Sequence, residues 1–304
     1  MHQPTTPGAG YRGRFAPSPT GDLHLGSLLA ALGSWLFARR AGGHWLVRVE
    51  DLDPPREVPG AGDRQLATLR AFGMEPDGPV LRQSGRGERY RAALERLLES
   101  GQAFACHCSR SALSADGGIH RRCLAGAVRT DPAIRFRVAA PCALQFDDAI
   151  HGRVCQDVAG EVGDFVLRRA DGYWAYQLAV VVDDAEQRIT EVVRGADLLD
   201  STPRQILLQR ALGLPTPAYA HLPLVLDHDG RKLSKSLAAL PVDAADPLPA
   251  LRAAWRLLGQ EPRVVAAAGA PAALLRAALD GFDPARIPRS AVAPGRDAAV
   301  TGSP

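Results

Sequence analysis

The spacing of apolar and polar residues predicts strands alternating with helices in the first third of the chain. A short strand beginning at Arg12 leads through a turn rich in proline and glycine into a helix from Leu25 to Arg40. Residues 42–53 predict a turn and then a strand that ends in acidic residues. Residues 60–73 and 87–101 predict two further helices, because apolar residues recur there at helical spacing and each segment closes on glycine.

The same alternation continues beyond a cysteine-containing interruption at residues 106–123. Strands and short helices are predicted in three segments, 133–138, 164–179 and 188–198. Residues 201–213 predict a helix, because the segment opens with serine, threonine and proline, which suit a first helical turn. Residues 221–226 predict another strand. Strands separated by helices favour a parallel sheet, so the predicted fold class is α/β.

The composition indicates a globular protein and leaves its partner open. The chain has 304 residues, of which 46% are hydrophobic and 23% are charged, with a net charge of +3. Arginine supplies every basic position except Lys232 and Lys235. Because this preference extends over the whole chain, it does not indicate nucleic-acid binding by itself. The small net charge permits a polyanionic partner without requiring one.

No apolar run approaches the roughly 18 residues of a membrane span, and the N-terminal residues lack a hydrophobic signal-peptide core. We therefore expect a cytoplasmic protein with a flexible leader over residues 1–11 and a disordered tail from about Pro284. In that compartment the five cysteines favour metal ligands or reduced thiols over disulfides.

Two segments have the chemistry of phosphate binding. Residues 16–27, APSPTGDLHLGS, form a turn that runs into a helix start, where free N–H groups and the helix dipole favour an anion. Residues 232–236, KLSKS, carry both lysines of the chain, and flexible ammonium groups suit a mobile phosphate. Each segment alone is also consistent with an ordinary capped helix or a solvated surface turn.

The cysteine segment suggests a zinc site. Cys106 and Cys108 form a C-x-C pair, Cys123 follows, and His120 is the better fourth ligand because His107 lies between the two paired cysteines. Thiolate and imidazole are the usual ligands of tetrahedral zinc. Three buried free cysteines in a loop-rich segment are the alternative. Cys142 and Cys155 have no evident partner and are expected to be buried thiols.

Two short motifs together resemble the signatures of the class I aminoacyl-tRNA synthetases. HLGS at residues 24–27 resembles the HIGH signature, and KLSKS resembles the KMSKS signature. The runs RFAPSPTGDLHLGS and RVEDLDPPRE, at residues 14–27 and 48–57, resemble the glutamyl branch. The resemblance extends from Arg12 to Ser236. It implies a Rossmann-like catalytic domain with a parallel sheet and a zinc-containing insertion, in which other members carry a tyrosine where this chain offers His120.

The resemblance implies an enzyme that activates a carboxylate by attack on the α-phosphate of ATP, with Mg²⁺ accompanying the nucleotide. The residues implied to contact ATP are His24, Gly26, Ser27, Lys232, Ser234 and Lys235. Among these, His24, Lys232 and Lys235 are implied to be catalytic, and Lys235 is expected to stabilise the pyrophosphate leaving group. The implied ligands of a structural Zn²⁺ are Cys106, Cys108, His120 and Cys123.

The residues implied to bind L-glutamate are Arg14, Ser18, Glu50, Tyr176 and Arg194. Two guanidinium groups suit the two carboxylates of glutamate, and Glu50 suits its ammonium group. Which arginine pairs with which carboxylate stays open. Without the resemblance, Glu50 and Arg194 could equally form structural ion pairs, and Tyr176 could be a core aromatic.

The implied organisation has five parts: a leader over 1–11, the first half of the catalytic domain over 12–101, a zinc-binding, acceptor-type insertion over 102–163, the second half with KLSKS over 164–240, and a short helical part with a disordered tail over 241–304. Only 68 residues follow Ser236, too few for the large helical anticodon-binding region of a full glutamyl-tRNA synthetase.

The chain therefore resembles the stand-alone paralogues of the glutamyl catalytic domain. Those enzymes activate glutamate without tRNA and transfer it to queuosine in the anticodon of tRNA(Asp). The implied partners are ATP, L-glutamate and queuosine-containing tRNA(Asp), with no membrane, and we expect a monomer. Two alternatives stay open: a compact glutamyl-tRNA synthetase that charges a tRNA 3′ end, and a non-catalytic paralogue that binds tRNA.

Overall fold

The computed structural model describes residues 10–227 and 240–293, and these contain ten strands. In chain order they are β1 (Arg12–Phe15), β2 (His44–Val49), β3 (Leu81–Arg82), β4 (Ala103–Cys106), β5 (Ala133–Phe136), β6 (Ala143–Asp148), β7 (Gly152–Asp157), β8 (Phe165–Arg168), β9 (Glu191–Gly195) and β10 (Ala218–Leu222).

The described residues also form ten α-helices. They are α1 (Leu25–Arg40), α2 (Ala61–Ala71), α3 (Gly87–Glu99), α4 (Arg110–Ala115), α5 (Val158–Glu161), α6 (Tyr176–Glu186), α7 (Thr202–Leu212), α8 (Pro247–Leu257), α9 (Arg263–Ala266) and α10 (Pro271–Gly281). The predicted helix over Leu25 to Arg40 has the bounds of α1, and the helices predicted in 60–73, 87–101 and 201–213 correspond to α2, α3 and α7.

Two groups of parallel strands lie side by side and form the main sheet. β1, β2 and β3 pair in parallel in that order, and β9, β10 and β6 do the same, with β7 antiparallel at the far edge. The backbone N–H of Thr190, just before β9, donates to the carbonyl oxygen of Arg12 at 2.9 Å. β9 therefore lies beside β1, and the strand order reverses between them. A crevice at the carboxyl ends of the strands is expected at such a reversal.

Helix α1 is buried along most of its length because it is covered on two sides. Its side chains share a core with β1, β2 and β10 on the sheet and with α8 and α10 on the other side. Gly33 permits the close approach to the sheet, since a Cβ atom there would lie 2.5 Å from a methyl group of Leu222. This packing fixes the start of α1 at the carboxyl ends of β1 and β9.

A separate antiparallel sheet, β4–β5–β8, follows the first half of the parallel sheet. Sheet pairing crosses the predicted boundaries, because β6 and β7 of the 102–163 region join the β9–β10 sheet, whereas β8 joins β4 and β5. The five-part division stays a prediction. The strand predicted over 221–226 is displaced: β10 ends at Leu222, where Pro223 has no N–H to extend the ladder.

Residues 1–9 of the predicted leader, residues 294–304 of the predicted tail and the KLSKS lysines lie outside the described residues. The expectation of a disordered tail from about Pro284 was wrong for residues 284–293, because Ile287 is buried in the core and Val292 forms a β-bridge with Val225. Within 10–227 and 240–293, no helix has the length and apolar character needed to cross a membrane.

Candidate active site

The residues predicted to bind glutamate and the described ones predicted to bind ATP line a single pocket. It lies where β1 and β9 end and α1 begins. The predicted residues that line it are Arg14, Ser18, His24, Gly26, Ser27, Glu50, Tyr176 and Arg194. These positions are spread over 180 residues of sequence, and the parallel sheet brings them together.

His24 caps the helix that opens on the pocket. Its Nδ1 accepts hydrogen bonds from the backbone N–H groups of Gly26 at 3.1 Å and Ser27 at 3.3 Å. Because Nδ1 is an acceptor, a neutral ring carries its hydrogen on Nε2, which lies 3.1 Å from the Ser27 hydroxyl. The first turn of α1 holds no acidic residue, so the partial positive charge at this end of the helix is not offset by a local carboxylate.

On the β1 side of the pocket, Arg14 already has a carboxylate partner. Its guanidinium contacts both oxygens of Asp184 on α6, with Nε to Oδ1 at 3.0 Å and Nη2 to Oδ2 at 3.3 Å. Arg48 contacts the same Oδ1 at 2.8 Å. Burial opposes ionisation of Asp184, but the two guanidinium groups outweigh it and hold its pKa below the usual range.

Arg48 is the centre of this ionic cluster, and its side chain is completely buried. Its Nη2 lies 3.2 Å from Glu50, and Asp183 lies 3.9 Å from its Nε. Burial lowers the pKa of Arg48, but Asp184, Glu50 and Asp183 raise it more, so it lies above the ordinary value. Burial raises the pKa of Glu50, and the neighbouring guanidinium groups reverse that only in part.

Asp183 extends the cluster away from the pocket toward α3. It accepts hydrogen bonds from the side chains of Gln83 at 2.7 Å, Tyr90 at 2.8 Å and Arg86 at 2.6 Å. Arg86 also pairs with Glu186. The cluster therefore links β1, β2, α3 and α6 through buried charges and the hydrogen bond of the Tyr90 hydroxyl.

On the β9 side, Arg194 is held by neutral acceptors. Its Nη1 donates to the Tyr176 hydroxyl at 3.1 Å, and its Nη2 donates to the Leu198 carbonyl at 3.2 Å and the Thr202 hydroxyl at 2.9 Å. Its Nε lies 3.1 Å from Nε2 of His221. Burial of Tyr176 raises the pKa of its phenol, so the hydroxyl stays protonated. Within the described residues, Arg194 makes no salt bridge to a carboxylate.

The predicted cysteine site is brought together in part. The ligand atoms of Cys106, Cys108 and His120 are all buried and lie within 4.8 Å of one another. His120 Nδ1 lies 2.8 Å from Asp164, whereas its buried Nε2 has no hydrogen-bond partner. Cys123 is exposed and lies outside this group.

Cys142 is half-buried and Cys155 is exposed, so the expectation that both are buried was wrong. β6 and β7 form a hairpin at the edge of the sheet, and this leaves both cysteines accessible.

The fold around His120 depends on one glycine. Gly163 has a positive φ of 65°, and a Cβ atom there would lie 2.3 Å from the backbone oxygen of His120. The backbone N–H of Asp164 donates to that same oxygen at 2.8 Å. The Gly163–Asp164 pair thus fixes both the backbone and the ring of His120.

Residues 11–259 match the family model of the class I tRNA synthetases (E and Q), catalytic domain. The chain belongs to this family. A protein from Xanthomonas campestris pv. campestris, named glutamyl-Q tRNA(Asp) synthetase, is 65% identical over 92% of this chain and 94% of its own length. A protein of the same name from Burkholderia cenocepacia is 57% identical over 82% of this chain and 88% of its own length.

Solved class I structures agree with this assignment. A glutamate tRNA ligase from Elizabethkingia meningosepticum, crystallised with its amino acid, superposes with a TM-score of 0.78 at 26% identity. The match covers 95% of this chain and 68% of that protein.

The second class I signature, KLSKS, lies outside the described residues, but the chain on both sides of it is at the pocket. Val225 lines the pocket, and Pro241 forms a β-bridge with His24. The backbone N–H of Val242 donates to the carbonyl of Leu23 at 2.8 Å.

Sequence reasoning missed the residues that support the glutamate set. These are Arg48, Asp148, Asp183, Asp184, Thr202 and His221. One signal was available for the pair 183–184, because two acidic residues stand inside the apolar run of α6. Arg48 likewise interrupts a buried strand. Nothing in the sequence pairs Asp148 with His221, because 73 positions separate them and only the sheet register joins them.

Proposed function

We propose that this chain activates L-glutamate with ATP and transfers the glutamyl group to queuosine in the anticodon of tRNA(Asp). The observation that carries the proposal is the single pocket that holds all five residues of the glutamate set beside the HLGS start of α1. The proposal is also supported by relatives named glutamyl-Q tRNA(Asp) synthetase, of which the chain spans 94% at 65% identity.

The charges of the pocket suit glutamate. The ligand brings two carboxylates and one ammonium group, and the pocket offers Arg194, Arg14 and Glu50. Arg194 has the positive charge that is least compensated, so it is the stronger carboxylate partner of the two arginines. Glu50 must be ionised to pair with the ammonium group, and Arg48 and Arg14 favour that ionisation against the effect of burial.

For ATP, the proposal uses His24, Gly26 and Ser27 at the start of α1, where N–H groups and the helix dipole favour phosphate. A glutamate carboxylate oxygen attacks the α-phosphorus, the bond to the bridging oxygen of the β-phosphate breaks, and pyrophosphate leaves. Lys232, Ser234 and Lys235 are proposed to stabilise the charge on that leaving group. Mg²⁺ would bind with ATP through the phosphate oxygens, as hard cations do.

In the second step, a hydroxyl group of queuosine attacks the glutamyl carbonyl carbon, AMP leaves with the electrons of the broken acyl-phosphate anhydride bond, and the hydroxyl proton is released to solvent. The chain's task in this step is to keep the adenylate oriented in the pocket. The tRNA contact surface, the division into five parts and the monomeric state stay predictions.

A structural zinc ion is part of the proposal. The thiols of Cys106 and Cys108 lie within 4.8 Å of each other and of a ring nitrogen of His120, and the buried Nε2 of that ring has no hydrogen-bond partner in the described part of the chain. Asp164 on Nδ1 is the kind of carboxylate that orients zinc-binding histidines. Structural zinc takes four ligands, and Cys123 remains the predicted fourth one. Zinc analysis of the purified wild type and of Cys123→Ser tests both points: about one zinc per wild-type chain is expected, and loss of zinc in the variant would identify Cys123 as a ligand.

The function is tested with radiolabelled glutamate, ATP and three RNAs: tRNA(Asp) with queuosine, tRNA(Asp) without it, and tRNA(Glu). Labelling of only the queuosine-containing tRNA is the expected result. Labelling of tRNA(Glu) independently of queuosine would instead favour 3′-end charging and a glutamate tRNA ligase like the protein from Elizabethkingia. Glutamate-dependent exchange of pyrophosphate into ATP, measured without any tRNA, tests the activation step separately.

A further inference from the structure

Behind Arg194 lies a buried row of side chains that the glutamate set does not include. Arg194 stands on β9, His221 is its register partner on β10, and Asp148 ends β6 on the other side of β10. Asp148 and His221 have side chains with no exposed surface, and Arg194 is 5% exposed. The row runs across three parallel strands from the sheet interior to the pocket.

The hydrogen bonds of this row determine where its protons are. Asp148 Oδ2 lies 2.6 Å from His221 Nδ1, and its Oδ1 accepts from the backbone N–H groups of Ile150 and His151 at 3.0 and 2.9 Å. An ionised carboxylate only accepts, so Nδ1 carries a hydrogen. The Nε of Arg194 only donates, so Nε2 of His221, 3.1 Å away, must be an acceptor. His221 is therefore neutral and has its hydrogen on Nδ1.

Electrostatics favour the same assignment. Burial lowers the pKa of His221, and the nearby charge of Arg194 and the neighbouring His151 act in the same direction, so that the opposing effect of Asp148 is outweighed. Burial raises the pKa of Asp148, but its hydrogen bonds from His221 and from backbone N–H groups lower it below the usual value. The pair is thus a carboxylate facing a neutral imidazole.

This arrangement fixes the plane of the Arg194 guanidinium. Of its five N–H groups, one goes to His221, two on Nη2 go to Leu198 and Thr202, and one on Nη1 goes to Tyr176. The fifth, on Nη1, has no hydrogen-bond partner within residues 10–227 and 240–293. Arg194 and Tyr176 both line the pocket, whereas His221 and Asp148 are not among its lining residues.

We propose that Asp148 and His221 are positioning residues for glutamate: the Asp148 carboxylate sets the tautomer of His221, and the Nε2 acceptor of His221 orients Arg194 toward the carboxylate of the bound amino acid. The proposal rests on the proposed function, since it requires Arg194 to contact that carboxylate. Neither positioning residue touches the substrate. Their removal should therefore weaken the use of glutamate and leave the use of ATP intact.

The test is tRNA-independent pyrophosphate exchange with separate titrations of glutamate and ATP. Asp148→Asn places an amide N–H next to Nδ1 of His221, which favours the tautomer with its hydrogen on Nε2. Two donors, Nε2–H and the Arg194 Nε–H, then face each other. The wrong tautomer of a histidine is known to impair other carboxylate–histidine pairs in the same way. We expect the KM for glutamate to rise roughly tenfold or more, as for a lost hydrogen bond to a charged group, with the KM for ATP within about twofold of wild type.

Two substitutions at His221 separate positioning from mere packing. His221→Gln keeps an acceptor oxygen that the Arg194 Nε can use, whereas His221→Leu fills the space and offers none. We expect His221→Leu to raise the KM for glutamate. His221→Gln should keep that KM closer to the wild-type value. Equal effects of both variants would overturn the proposal.

Asp77→Asn is the matched control for loss of a structural carboxylate. Asp77 accepts from Arg39 at 2.6 and 2.9 Å and from the Trp45 N–H at 2.7 Å, and it lies outside the pocket. The Asp77→Asn substitution should lower the melting temperature without changing the KM for glutamate. If Asp148→Asn raises both KM values together, or neither, the positioning role is wrong.

A readout that needs no activity is the nitrogen NMR of His221 in ¹⁵N-histidine-labelled protein. A hydrogen on Nδ1 at neutral pH is expected in the wild type, and a protonated Nε2 would overturn the assignment. A wild type that shows this tautomer but no glutamate-dependent exchange would refute the proposed function instead, so the two failures can be told apart.

Discussion

The two arginines of the glutamate set lie in opposite electrostatic environments. Arg14 is paired through both of its contacts with a buried carboxylate, Asp184, which it shares with Arg48. Arg194 is surrounded by a phenol, a hydroxyl, a carbonyl and a neutral imidazole. The nearest carboxylate of its row, Asp148, stands behind His221.

The difference indicates that Arg14 mainly stabilises the site and that Arg194 mainly binds the ligand. A buried cation with a carboxylate partner is satisfied in the empty pocket, so a second carboxylate gains less from it. A buried cation held only by neutral acceptors keeps most of its charge for an incoming anion. The β1 side should therefore be more important for stability, and the β9 side for binding.

The largest effect is expected where the β1 side is broken at its centre. Arg48→Ala leaves Glu50, Asp183 and Asp184 buried with less compensation, and removal of one partner from a buried ionic cluster costs about 3–5 kcal/mol. Chemical denaturation measures this loss. Arg64→Ala is the control, because its pair with Asp22 is exposed and should contribute less than about 1 kcal/mol. Equal losses would show that the buried cluster adds no special stability.

The comparison itself is tested by one matched pair, Arg14→Met and Arg194→Met. We expect Arg14→Met to lower the free energy of unfolding more, because it leaves Asp184 behind with one cation fewer. Arg194→Met should lower kcat/KM for glutamate by roughly 10- to 150-fold, the equivalent of about 1.5–3 kcal/mol for a hydrogen bond to a charged group. If Arg194→Met is the more destabilising of the two, the two environments do not have the separate roles assigned to them.

A smaller effect is expected in the pH dependence of stability on the β9 side. The pKa of His221 is lowered in the folded state, so the unfolded chain binds the proton first as the pH falls. The contribution of neutral His221 to the free energy of unfolding is fully present above its unfolded pKa of about 6.5. It is lost as the pH falls toward the lower pKa of the folded state, by at most about 1.4 kcal/mol per pH unit. The free energies of unfolding of wild type and His221→Gln, measured by denaturation from about pH 7.5 to about pH 5 on either side of that pKa, should therefore diverge as the pH falls. Parallel curves would mean that the pKa of His221 is the same in the folded and unfolded states, and divergence in the opposite sense would mean that the native state favours the charged ring.

The smallest effect is expected for Glu50→Gln, and its sign is the informative part. Burial raises the pKa of Glu50, so its ionisation disfavours the folded state and the stability linked to its neutral form is lost as the pH rises through the folded pKa. The amide avoids that loss. The stability difference should therefore shift toward Glu50→Gln as the pH rises, while glutamate-dependent exchange falls because the amide cannot neutralise an ammonium group. A shift toward the wild type would show that Arg48 overcompensates the burial of Glu50.

The sequence by itself determined the α/β class and most helices, and it predicted a ligand set whose described members all line one pocket. Helix α1 was predictable over its full length, because a proline- and glycine-rich turn precedes it and two arginines and a glycine pair end it. The pocket residues were predictable because the RFAPSPTGDLHLGS and RVEDLDPPRE runs carry the family resemblance, which then implied Tyr176 and Arg194. Their identification needed no tertiary contact.

Only the tertiary structure decided how those residues are held. The pairing of Asp148, His221 and Arg194 follows from the register of three parallel strands, and local sequence patterns carry no information about register between distant strands. Burial likewise depends on what covers a position. The exposure of Cys123, the central place of Arg48 and the contrast between Arg14 and Arg194 therefore emerge only when sheet and helices are packed together.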